Sequence, residues 1–109
     1  MKGMNSMSEE LCYEFKTNRK TTIRQYLLSG KLHEKYTDLN TYGIRIEKII
    51  AEYGCIRSRT TTEMHGIFCR RNDADNFMEY IKNCRTAPEN LSDDMDRFIE
   101  LKYLSCVTA

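Results

Sequence analysis

The sequence predicts an α+β domain: an antiparallel β meander of hairpins over the N-terminal two-thirds, packed on two C-terminal α-helices. Three observations carry this. Apolar residues recur with period two through the first two-thirds, the period changes to 3.6 after Asn72, and the connections between runs are short.

Taken in order, Leu11, Tyr13 and Phe15 alternate with Cys12, Glu14 and Lys16, the signature of a half-buried strand. Thr17-Asn18-Arg19-Lys20 is polar and contains an Asn that tolerates left-handed backbone, so it reads as a turn. Thr22 to Leu28 is rich in β-branched and aromatic residues and pairs back as a hairpin, although Ile23, Tyr26 and Leu27 also fit helical spacing. Ser29-Gly30 ends it either way. Lys31 to Asn40 shows no period and is expected to be a loop or a weak strand. The clearest strand follows: Tyr42, Ile44 and Ile46 alternate with Gly43, Arg45 and Glu47, and Ile49-Ile50 extend it. Tyr53-Gly54 makes a turn, and Cys55–Thr61 and Met64–Cys69 are two further β-prone runs.

Asn72 or Asp73 is then a suitable N-cap, with Asp73 and Asp75 complementing the helix dipole. Ala74, Phe77, Met78, Ile81 and Cys84 share one helical face. Arg85 falls in the last turn and Pro88 stops the helix. The second helix starts after Asn90 or Ser92, with Leu91, Met95, Phe98, Ile99 and the stem of Lys102 as its stripe, widened by Leu101 and Leu104. The expected core is Ile44, Ile46, Phe77, Ile81, Met95 and Phe98. Residues 1–8 read as a flexible tail and 9–105 as one domain.

The chain of 109 residues has room for one hydrophobic core. No apolar run approaches the roughly 20 residues that cross a bilayer, and the first residues lack the apolar stretch of a secretory signal. A cytoplasmic location is expected. Five cysteines (Cys12, Cys55, Cys69, Cys84 and Cys106) form no close pair and no Cys-x-x-Cys, so they read as free thiols packed as small hydrophobes in a reducing compartment. The net charge of +1 hides an asymmetry: residues 1–71 hold 13 Lys/Arg against 8 Asp/Glu, and residues 72–109 hold 4 against 8. Attraction between the halves and acids at helix starts account for it.

The run Thr41-Tyr42-Gly43-Ile44-Arg45-Ile46-Glu47, the strand entering an Asn/Asp-capped helix, and Pro88-x-x-Leu91-x-Asp93 followed by Phe98-Ile99 resemble a small uncharacterised family of low-GC Gram-positive bacteria, a domain of unknown function. The resemblance covers roughly residues 41–104. In that pattern a His often precedes the helical Leu and a small apolar residue follows the Asp, where this chain has Asn90 and Asp94. The family implies no activity, ligand or catalytic residue.

Each chemical constellation has a plainer explanation. His65 and Cys69 face the same way on a strand, and Cys55 across a hairpin, with a fourth ligand from Glu63 or another segment, would complete a zinc set, but the spacing matches no zinc knuckle. No metal or other cofactor is expected. Cys69 before Arg70-Arg71 and a helix start, with His33 or His65 as base, lacks the surroundings of a catalytic thiol. Asp93, Asp94 and Asp96 lack the central Gly of a calcium loop and read as helix-start acids. Arg45, Arg57, Arg59, Arg70 and Arg71, with Tyr42 and Tyr53 nearby, form the strongest binding signal, because arginine and aromatics on a sheet grip phosphate and stack bases. Interleaved Glu47, Glu52 and Glu63 and a pI near 7.6 weigh against it. The expectation is a non-enzymatic protein-interaction domain, accessory or regulatory, pairing with another protein or with itself. Nucleic-acid or anion binding through the Arg-rich sheet is the alternative.

Overall fold

Four antiparallel strands in the order β1-β2-β3-β4 form a meander, and two helices follow and pack on one of its faces. In this computed structural model β1 spans Ser8–Lys16, β2 Thr21–His33, β3 Asp38–Glu52 and β4 Cys55–Phe68. Helix α1 spans Arg71–Cys84 and α2 Leu91–Thr108, joined through a 3₁₀ turn at Pro88–Asn90. The structure describes the backbone of residues 8–33 and 38–108 and the side chains of 8–31 and 39–102. Of the expected tail, residues 1–7 lie outside the described residues, and Ser8 already opens β1.

The α+β expectation holds, with longer strands than the period suggested. Lys31 to His33 and Asp38 to Asn40 are strand, paired from Gly30↔Thr41 to His33↔Asp38, so polar residues here extend a hairpin instead of forming a loop. The two runs Cys55–Thr61 and Met64–Cys69 belong to the single strand β4, and Cys69 lies just past its end. Turn chemistry follows the letters. Asn18 Oδ1 accepts from the backbone N–H groups of Lys20 (2.9 Å) and Thr21 (3.0 Å). Tyr53 and Gly54 both take positive φ, 52° and 77°, the two-residue turn whose twist matches a hairpin.

Period two puts Ile23, Gln25 and Leu27 of β2, Ile44 and Ile46 of β3, and Met64 of β4 on the helix-bearing face. Against them pack Ala74, Phe77, Met78 and Ile81 of α1, with Leu91 and Met95 of α2. Five of the six expected core residues are buried; Phe98 is half-buried, and its ring lies 5.0 Å from that of Phe77, tilted by 59°. Ile99 and Leu101 stand exposed; among the described residues α2 meets the core through Leu91, Met95 and Phe98, and the Leu104 side chain lies outside them.

Three local departures have physical causes. A bulge at Cys12 shifts register between Leu11 and Tyr13, turning Leu11 away from the helices and leaving it exposed. Neither Asn72 nor Asp73 caps α1; the cap is extended Arg70, two residues before Asn72, without a side-chain hydrogen bond. Arg85 lies beyond the last turn, in the left-handed conformation that closes α1, and its guanidinium covers the Phe15 ring at 4.4 Å and donates to Lys16 O. Asp73 and Asp93–Asp94 do sit in the first turns of the two helices.

Candidate interaction surface

The sheet face opposite the helices carries the side chains that alternate with the core. Beside the apolar Leu11, Leu28 and Ile49, these include Glu9 and Glu14 of β1, Arg24 and Tyr26 of β2, Arg45 and Glu47 of β3, and Arg59, Thr61 and Glu63 of β4. The charged ones form two rows of alternating sign. In the first, Arg24 Nε is 2.9 Å from Glu14 and Nη1 is 3.8 Å from Glu47, whose other oxygen is 3.2 Å from Arg59. In the second, Arg45 is 2.6 Å from Glu9 and 3.9 Å from Glu63, which meets His65 at 2.7 Å. Tyr26 ties the rows together: its ring lies 4.4 Å under the Arg45 guanidinium and its hydroxyl donates to Glu47 at 3.4 Å. The first row reaches the β4 edge with a cation, Arg59, and the second with an anion, Glu63.

The five arginines expected to bind do not form one patch. Arg45 and Arg59 lie in different rows of this face, each against carboxylates. Arg57 stands near the β3–β4 turn, 3.8 Å from Glu52. Arg70 and Arg71 stand at the start of α1, and Arg71 meets Asp75 at 3.0 Å and Glu10 of β1 at 3.4 Å. An arriving phosphate would have to displace carboxylates from four of them. The partners Glu9, Glu14 and Arg24 were missed by reading arginines alone. The signal that finds them is i, i+2 alternation of opposite charge across consecutive strands.

The sheet has two outer edges. β1 is broken by its bulge at Cys12 and bears charged Glu10 and Lys16. β4 is exposed along nearly its whole length and pairs regularly with β3 from Ser58 to Met64, with register shifts only beyond those residues. That regular stretch contains neither Lys nor Pro, and it includes Thr60-Thr61-Thr62.

The thiols do not behave as expected. Cys12, Cys55, Cys69 and Cys84 are free but exposed rather than packed, and the Cys106 side chain lies outside the described ones. Cys55 and Cys69 flank opposite ends of β4, so the hairpin that would bring them together does not exist. Among the described residues no group of three His, Cys, Asp or Glu is placed to hold a metal ion. The His33 side chain lies outside the described ones. Partial desolvation, then the neighbouring Glu10 carboxylate, raises the pKa of the Cys12 thiol. Cys12 borders a cavity of about 300 Å³ between β1, β2 and α1 that also reaches the buried Gln25. The Gln25 amide donates to Ile81 O (3.0 Å) and Thr86 O (3.2 Å), which joins β2 to the end of α1.

No helix among the described residues is long and apolar enough to cross a membrane. Comparison with family models, with curated proteins and with solved structures gives no match.

Proposed function

We propose that this chain is a small, cytoplasmic, non-enzymatic protein-interaction domain that receives its partner along the outer edge of β4. One observation carries the reading: β4 offers an exposed edge, regular from Ser58 to Met64, with backbone donors and acceptors directed outward and no bulge or Pro to refuse a strand. Four exposed free thiols suit a reducing compartment. The arginine–carboxylate pairs favour a protein partner over a polyanion, since each pair must break before phosphate binds.

Adjacent strand residues point their N–H groups to opposite sides, so one of Thr60 and Thr61 faces β3 and the other faces out. Proline at the outward position should keep the melting temperature and abolish partner retention from a host extract on immobilised chain. If the stable proline variant retains the same partner as the wild type, the β4 edge is not the surface. Tight, salt-sensitive retention on heparin, lost on Arg57→Ala and Arg59→Ala, would instead favour anion binding.

A further inference from the structure

We infer that the β4 edge pairs antiparallel with the β4 edge of a second copy of this chain, about a twofold axis at Thr61. The inference rests on the reading of β4 as a pairing edge and names the partner. Three features of the edge meet at one residue. First, Thr61 is the midpoint of the regular stretch from Ser58 to Met64, so the register shifts beyond both ends bound a segment symmetric about it.

Second, a twofold axis at Thr61 places each residue opposite its mirror position. Arg59 then faces Glu63 of the second copy on the open face, and Glu63 faces Arg59. On the helix-bearing face Thr60 meets Thr62 and Ser58 meets Met64. Opposite charges and Thr–Thr pairs are favourable directly across antiparallel strands. Face alternation allows the axis to move only by whole residues. One step either way sets Arg59 against Thr61 or His65 and loses the pairing with Glu63.

Third, the junction continues the charge rows. Within one chain the row Glu14–Arg24–Glu47–Arg59 ends at the edge as a cation, and Glu9–Arg45–Glu63 ends there as an anion. The axis joins each cationic end to the anionic end of the other copy, so seven charges alternate in sign across the junction, drawn from seven of the eight strands. Arg59 and Glu63 keep 51% and 37% of their side chains exposed in the single chain, leaving part of each open to a further partner. A twofold perpendicular to the sheet also keeps both helical layers on the same side.

Sedimentation of the purified chain at micromolar concentration tests this. The wild type should be a dimer. Arg59→Glu sets the new carboxylate against Glu63 twice per dimer, and Glu63→Arg sets the new guanidinium against Arg59 twice, so each should weaken self-association by about tenfold or more. Mixing the two variants sets both glutamates of the Arg59→Glu chain against both arginines of the Glu63→Arg chain, and should restore a dimer that neither forms alone. Circular dichroism of each variant establishes that the monomers are folded. A monomeric wild type, single variants that stay dimeric, or a mixture that stays monomeric would each overturn the inference. A monomeric wild type whose outward-facing proline variant still loses a foreign partner leaves the proposed function standing, so the two readings fail separately.

Discussion

Thr86 and Asp94 show how much one hydroxyl can hold. Both are buried, and Thr86 Oγ1 donates to Asp94 Oδ2 at 2.5 Å, linking the second residue after α1 to the first turn of α2. Thr86→Val keeps the shape and removes the donor, leaving a buried carboxylate oxygen short of a partner, and should destabilise by about 1–3 kcal/mol in urea denaturation. An unchanged midpoint would mean that Arg97, 3.4 Å from the other oxygen, suffices. At Cys12 the sign concerns reactivity. A raised thiol pKa lowers the thiolate fraction near neutral pH, so alkylation of Cys12 should rise at higher pH in the folded chain than after unfolding in urea. Mass spectrometry of pulse-labelled protein reads this directly. Neither Thr86–Asp94 nor the Cys12 bulge was legible in the sequence. Asp94 looked like one of three helix-start acids, and no local pattern announces one extra residue in a strand; that residue alone moved Leu11 to the opposite face.

Strands and helices were far easier to read, because each repeats its signal. Ile44 and Ile46 alternate for a sheet buried on one face, and Phe77 and Ile81 recur for a helix, so their burial followed from period alone. Phe77→Ala should therefore cost about 3–5 kcal/mol, with Phe98→Ala clearly less because that ring is only half-buried. The reach of the β2–β3 hairpin was legible only as one of two alternatives, a loop or a weak strand, since polar residues on a sheet extension show no apolar period. Between elements, Lys48 of β3 meets Glu89 of the 3₁₀ turn at 3.0 Å. The Glu89 backbone N–H, then Lys48, hold its carboxyl below the usual range. A carboxyl depressed on folding adds stability above its unfolded pKa, about 4.3, and loses it as pH falls through the folded value. The melting temperature of Glu89→Gln should thus depend less on acidification below about pH 5 than that of the wild type, by a small margin for so exposed a pair.

Over the whole molecule the arginines gain meaning only with their neighbours. Read along the chain, Arg45, Arg57, Arg59, Arg70 and Arg71 suggested a basic surface. Folding distributes them over two charge rows, a turn and the start of α1, and hydropathy cannot report which carboxylate each will meet. Glu47 is the pivot of the first row: it is 7% exposed and contacts Arg24, Arg59 and the Tyr26 hydroxyl. Glu47→Gln keeps the size and a hydrogen-bond acceptor but removes the charge, leaving two guanidinium groups that share no carboxylate. Stability should fall, since two like charges then flank a neutral amide. Anion binding should rise at the same time, because Arg59 no longer needs to exchange a carboxylate for a phosphate, while Arg24 keeps Glu14. Each arginine so released adds about one to the steepness with which binding falls with salt. The wild type should elute from heparin at low salt and Glu47→Gln later, with both followed at a temperature where each is folded. A wild type already retained as strongly as Glu47→Gln would mean that these pairs do not occupy the arginines in solution, and the Arg-rich face would then be a working anion site.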